Sequence, residues 1–148
     1  MRLKIASTLS IEFDKTNKNY EINKLSNLLE TYFLPKDYGT SIESYIIGIT
    51  CVSHGFDAFF TARKPKYTTD RIESHWGLSA HIYKSFEFTI KLDYDFFRYS
   101  DKEGGLSYLA KEIMKTVQSL KYPKKITDFN RKQFEMDLEY FFKEKGLL

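Results

Sequence analysis

The sequence predicts an α+β fold: a four-stranded, mainly antiparallel sheet with three helices packed on it. Three observations carry that expectation. Phe86, Phe88, Ile90, Leu92 and Tyr94 alternate with Glu87, Thr89, Lys91 and Asp93, the period of a strand with one buried face. Residues 45–52, YIIGITCV, are apolar on both faces and rich in β-branched side chains, as suits a central strand. Three other stretches, beginning near Asn19, Ser100 and Asn130, space their apolar residues three and four apart, the helical period. Clustered strands with helices grouped around them argue for helices on one face of the sheet. At 148 residues, residues 1–148 are expected to form a single domain.

Along the chain, Leu3, Ile5, Leu9, Ile11 and Phe13 alternate with Arg2, Lys4, Thr8, Ser10 and Glu12, and only Ser7 interrupts this first strand. Ile22, Leu25, Leu28, Leu29, Tyr32 and Phe33 then form a helical stripe that Pro35 stops. Residues 36–40 are a polar turn containing Gly39, ahead of the central strand. His54-Gly55 reads as a turn, and Phe56, Ala58, Phe60 and Ala62 as a strand returning in a hairpin. Residues 63–83 are the least regular part and read as a loop, with residues 77–83 able to extend the strand that follows. Ser100 and Glu103 fit a capping box before the stripe Leu106, Leu109, Ile113, Val117, Leu120. Asp128 or Asn130 caps the last helix, which presents Phe134, Leu138 and Phe141 and stops at Gly146.

Composition removes several function classes. Twenty-three basic and twenty acidic residues leave a net charge of +3 and are mostly interleaved, whereas a nucleic-acid surface needs clustered cations. No window approaches ~18 consecutive apolar residues, so no membrane-spanning helix is expected. The first residues alternate at once and lack the apolar core of a signal peptide. A single cysteine, Cys51, permits no intramolecular disulfide, and with no export signal this points to the reducing cytoplasm.

Candidate chemistry is sparse. His54, His75 and His81 lie in no metal-ligand motif, and one cysteine cannot build a structural zinc site. Cys51 with His54 has the residue types of a nucleophile and its base, but Cys51 lies in an apolar strand, where a thiol packs as a small hydrophobe. Asp93 and Asp95 share a strand face with Glu87 and Lys91 and read as a solvated face rather than an acid–base pair. Gly104-Gly105 lacks the phosphate-loop pattern. No metal, cofactor or catalytic residue is expected, and the chain does not read as an enzyme. The run Arg63, Lys64, Lys66, Tyr67, Arg71, His75, Trp76 has three readings: a protein-contact loop, a nucleic-acid surface of stacking aromatics and cations, or aromatics folded onto the core. A small nucleic-acid-binding module using residues 63–76 is thus the alternative function.

Four segments in order carry a family resemblance: KDYGTSIESYIIGI (residues 36–49), KPKYT (residues 64–68), FEFTIKLDYDFF (residues 86–97) and ITDFNRKQFEMDL (residues 126–138). Together they resemble the bacterial immunity proteins of polymorphic-toxin and contact-dependent growth inhibition systems, family forty-four. The chain departs from that pattern at Ile126-Thr127, in a longer stretch around residues 71–81, and in its mild basicity. The resemblance implies a cytoplasmic inhibitor that binds a cognate protein toxin domain and occludes its active site, making and breaking no bond. Two toxin-binding surfaces are expected. One is the turn and strand start at Asp37, Tyr38, Glu43 and Tyr45; the other is the loop bearing Lys64, Lys66, Tyr67, Arg71 and Trp76. Exposed strand edges also allow a homodimer.

Overall fold

The computed structural model describes residues 1–7, 18–52, 65–73, 80–93 and 102–148. Their order is β1 (Arg2–Ser7), α1 (Lys18–Phe33), β2 (Ser44–Val52), β3 (Lys66–Glu73), β4 (Ala80–Asp93), then helices α2 (Lys102–Ser119) and α3 (Arg131–Glu144). The strands form one sheet in the order β1-β2-β4-β3. The α+β class, four strands and three helices match the expectation, but the sheet is mixed. β1 pairs with β2 and β2 with β4 in parallel, and only β3 with β4 is antiparallel. The reason is the position of α1. A helix between two strands returns the chain to the end where it began, so β2 starts beside the start of β1.

The segment expected to be irregular contains β3. Its sequence, KYTTDRIE, shows no apolar alternation because it is an edge strand that sends one ring, Tyr67, toward the core. The proposed strand at Phe56–Ala62, the outer half of the first strand (Leu9, Ile11, Phe13) and the Ser100 cap lie outside the described residues.

Register explains the core. Leu3, Tyr45, Phe86 and Tyr67 stand in one row across the sheet, and Ile5, Ile47 and Phe88 in a second row on the same face. All but Tyr67 are buried. The helical stripes pack there: Ile22, Leu25, Leu29 and Phe33 of α1, Leu109, Ile113 and Val117 of α2, and Phe134, Leu138 and Phe141 of α3 are buried, while Leu28 faces outward. Ring pairs join the sheet to α3 and to the connection before it, with Tyr45 and Phe134 centroids 4.6 Å apart and Phe86 and Tyr122 4.8 Å apart. Such pairs contribute ~0.5–1.5 kcal/mol each beyond the area they bury. On the opposite face Lys4, Glu87 and Lys66 are exposed in one row, with Ile46 between Lys4 and Glu87.

Asn130 is the residue that caps α3, its side-chain oxygen accepting the Gln133 N–H at 3.2 Å. Arg131 then reaches back to the end of α2. Its guanidinium donates to the carbonyls of Leu120 (2.8 Å), Gln118 (2.9 Å) and Val117 (3.1 Å), and it lies 4.9 Å from the Tyr122 ring centroid. One side chain thus satisfies a helix end and sets the angle between two helices.

On the outer side of β1, a side chain meets the backbone of Ile5. The Ser26 hydroxyl of α1 accepts the outward Ile5 N–H at 2.9 Å and donates to the Ile5 carbonyl at 3.3 Å, standing in for a missing strand. Ser26→Ala leaves both groups buried and unpaired, so a loss of about 1–3 kcal/mol is expected in urea unfolding. Faster hydrogen exchange at the Ile5 amide should accompany it. Unchanged stability with unchanged exchange would show that water replaces the hydroxyl there.

Candidate functional site

β4 is longer than its neighbour. β2 pairs with it only from Ser85 onward, so Ala80 to Lys84 pair with β3 alone, from Glu73↔Ala80 to Thr69↔Lys84. The result is a two-stranded ribbon that runs about 16 Å past the start of β2, at ~3.3 Å per residue. At its root the α1–β2 connection crosses the sheet end and meets the α2–α3 connection.

That meeting is a clasp around Asp128. Its carboxylate accepts the Thr40 N–H at 2.9 Å and the Thr40 hydroxyl at 2.7 Å. Its carbonyl accepts the Ser41 N–H at 3.0 Å, and its own N–H donates to the Ser41 hydroxyl oxygen at 2.8 Å. The Asn130 N–H reaches the Tyr38 carbonyl at 2.7 Å. From the ribbon side, the Tyr67 hydroxyl donates to the Ser41 carbonyl, and Lys84 Nζ lies 3.2 Å from the Thr40 carbonyl. Gly39 makes the close approach possible. Its φ is +117°, and a Cβ there would sit 2.4 Å from the Asp128 carbonyl oxygen. The Asp37 carboxylate accepts the Gly39 N–H at 2.9 Å and so sets the turn.

Beside the clasp, on the β2 side of the ribbon, lies a cleft of about 450 Å³ bordered by Arg2, Leu34, Lys36, Asp37, Glu43 and Tyr83. Leu34 is exposed, and Tyr83 is half-buried. The cleft therefore offers apolar surface rimmed by charges of both signs. Among the described residues no histidine, cysteine or serine borders it. Shape and charge suit the docking of protein side chains.

The tyrosines beneath are structural. Tyr38 is buried and donates to Asp137 Oδ2 at 2.5 Å, and Lys36 Nζ stands 3.7 Å from the same oxygen. Burial, and then the adjacent Asp137, push the Tyr38 phenol well above its usual range. Tyr45 and Tyr122 share a hydrogen bond of 2.8 Å. Burial pushes the Tyr122 phenol up to about 12 and the Tyr45 phenol well above its ordinary value. These phenols stay protonated at neutral pH and cannot serve as bases.

The sequence-derived site residues divide accordingly. Asp37 and Glu43 border the cleft. Lys66 is exposed, Tyr67 is half-buried against Ser41, and the backbone of Arg71 pairs with that of Ile82 in the ribbon. Six of the nine, with Tyr38 added, thus gather at one end of the sheet. Tyr38 and Tyr45 are core residues, which corrects their expected place on the surface: they support the turn and strand from beneath. Lys64 and Trp76 lie outside the described residues, as do His54, His75 and Asp95. Sequence reasoning missed Asp128 as the turn's partner, Arg131 as the lock between helices, and Ser26. The Asp37-x-Gly39 spacing signals a tight turn, but nothing local links residue 40 to residue 128. Among the described residues no group of three potential metal ligands occurs, and no helix is long and apolar enough to cross a membrane.

Compared with models of protein families, residues 1–144 match the one described as Immunity protein 44. No curated protein and no solved structure matches the chain.

Two tests address the clasp. Gly39→Ala imposes a disfavoured φ, worth about 1–3 kcal/mol by itself, and drives Cβ into the Asp128 carbonyl. A lowered midpoint in chemical unfolding is expected, and an unchanged midpoint would mean the turn can move away. The second test uses pH. Hydrogen bonds from the Thr40 hydroxyl and N–H, helped by the Lys84 ammonium, hold the Asp128 carboxyl below its usual range. A carboxyl held low in the folded chain stabilises fully above its unfolded value of 3.8, and the contribution fades as pH falls through the folded value. Asp128→Ala should therefore be less stable than wild type at neutral pH, with the difference shrinking in acid. A gap that widens in acid would contradict the assignment.

Proposed function

The chain belongs to the immunity protein 44 family, and on that premise we propose that it neutralises a cognate secreted toxin domain by covering the toxin's active site or substrate channel. It does so in the cytoplasm of the cell that makes it. The family match over residues 1–144 carries the reading, because it spans the sheet, the clasp and all three helices. Immunity proteins are generally inhibitors that act without catalysis. The geometry fits such a role, since a braced sheet end presents a ribbon and a charge-rimmed cleft on a rigid base.

The contact surface in this reading is that end of the molecule. Asp37 and Glu43 act from the cleft, and Lys64, Lys66, Tyr67, Arg71 and Trp76 from the ribbon and the segments beside it. Tyr38 and Tyr45 contribute by fixing the turn and strand that carry the first pair. A standard interface of ~1,600 Å² needs only a few anchors of the Tyr, Trp and Arg type to reach high affinity. Pre-organisation favours this, because an already ordered surface loses less entropy on binding.

Co-expression with the toxin encoded by the adjacent gene tests the reading. Cells making folded wild-type protein should survive, and their continued killing would end the proposal. For the surface, Arg71→Ala and Trp76→Ala should each weaken toxin binding by ~2 kcal/mol or more, about thirty-fold in Kd, with thermal unfolding unchanged. Undiminished affinity in both variants would move the contact elsewhere on the molecule.

A further inference from the structure

We propose that the groove between α2 and α3 is a second docking surface for the toxin, and that it takes an acidic segment of that partner. The inference rests on the toxin reading above and adds a surface outside the cleft and the ribbon. The groove encloses about 430 Å³ and is bordered by Lys111, Met114 and Lys115 of α2, by Glu139 and Lys143 of α3, and by Leu148. Lys111 and Lys115 are exposed, and Leu148 is 40% exposed.

Hydrogen bonds fix both ends of this groove. At one end Arg131 donates to the carbonyls of Val117, Gln118 and Leu120, and so holds α3 to the last turn of α2. At the other end Gly146 adopts a φ of +73°. The Gly146 N–H donates to the Lys143 carbonyl at 3.0 Å and the Leu147 N–H to the Phe142 carbonyl at 2.9 Å, the pair of bonds that ends a helix at a left-handed glycine. The Ser107 hydroxyl of α2 then donates to the Leu147 carbonyl at 3.0 Å, which ties the end of α3 to α2 beside Leu148. A groove held at both ends keeps its shape without a partner, and this lowers the entropy lost on binding.

Charge selects the occupant. Lys111 and Lys115 stand one turn apart on α2, and neither is ion-paired with a described residue. Glu139 is the one acid among the described residues bordering the groove, and Lys143 Nζ already meets its carboxylate at 3.0 Å. The ammonium groups of α2 are thus left uncompensated. Positive charge continues beyond the Ser119 end. From Ile113 to Phe134 the chain carries six basic residues and one acid, Asp128, whose carboxylate is bound by Thr40. Lys121, Lys124 and Lys125 are exposed on the connection that leads to the clasp. Carboxylates of a partner complement this track.

Apolar surface favours a protein over a nucleic acid. Met136 and Tyr140 of α3 are 53% and 58% exposed. With Glu139 and Lys143 they occupy positions i, i+4, i+3 and i+7, which share one helix face. The α3 wall of the groove therefore continues onto a crest bearing two large apolar side chains. Tyr and Met are enriched in protein interfaces, whereas the Glu139 carboxylate in the wall repels phosphate. The matching segment carries two carboxylates about one helical turn apart, for Lys111 and Lys115, and apolar side chains that cover Leu148 and the crest.

Titration calorimetry of the full chain with the toxin domain encoded by the adjacent gene tests the proposal. Lys111→Glu and Lys115→Glu should each weaken binding about five-fold, because each exchanges an attraction for a repulsion. The loss should shrink at high salt, and thermal unfolding should not change. Lys24→Glu, at an exposed position of α1, alters net charge equally and should leave affinity as it was. If a glutamate disturbs folding, Lys111→Gln and Lys115→Gln decide, with about a two-fold loss each. Undiminished affinity in the folded variants, while wild type binds, overturns this inference and leaves the toxin reading standing. A fall of equal size in Lys24→Glu also overturns it, since net charge alone is then at work. Wild type that does not bind the toxin ends both readings. Binding of a mixed-sequence RNA duplex that these lysine variants abolish, with toxin affinity unchanged, assigns the groove to nucleic acid and overturns the proposal as well.

Discussion

The bonding of Asp128 to the turn at Gly39–Ser41 is the constraint on which this end of the sheet depends. Asp128 engages two groups of Thr40 through its carboxylate and two of Ser41 through its carbonyl and N–H. It joins the connection before β2 to the connection before α3. Without it, the segment from Lys36 to Glu43 would lose its tie to the α2–α3 connection at Thr40 and Ser41 and keep only those made by Tyr38, Lys36, Tyr67, Lys84 and the backbone. The four bonds act together because each fixes the geometry that the next requires. Gly39 is the local cost of that approach, since only a residue without Cβ can lie so close to the Asp128 carbonyl.

Beneath the clasp, aromatic packing turns a local tie into a rigid end. Phe33, Tyr38, Tyr45, Phe129 and Phe134 meet ring to ring, drawing on α1, the turn, β2 and α3. The polar tips of the tyrosines have defined partners: Asp137 for Tyr38, Tyr122 for Tyr45 and Ser41 for Tyr67. No buried side-chain nitrogen or oxygen among the described residues lacks a partner. A fully satisfied polar network of this kind specifies one arrangement. Side chains on the rim therefore project from a base that does not need to rearrange, which suits tight binding without chemistry.

Much of the architecture was readable in the chain because it rests on periodicity. The stripe Phe86, Phe88, Ile90, Leu92 is buried as its alternation requires, and the stripes in the three helices face the core. β3 was missed for a physical reason. An edge strand with one core-facing ring has no need of alternating apolar residues, so KYTTDRIE resembles a loop until its partner is seen. Asp37 and Glu43, expected to contact a toxin, border a surface cleft. Tyr38 and Tyr45, named with them, are buried, because a tyrosine's residue type does not tell whether its hydroxyl reaches solvent or another side chain.

By itself, the sequence determined the α+β class, the central strand, the helix faces and the family resemblance that the whole-chain match bears out. Each of these depends on spacing between residues close in sequence, or on ordered segments. Only the tertiary structure decided strand direction, the link from residue 40 to residue 128, and the bonding of Ser26 to the outer side of β1. Those outcomes depend on pairs of residues distant in the chain, such as Ser26 with Ile5 and Thr40 with Asp128. Their hydrogen bonds exist only once the helices have packed, and no local pattern announces them.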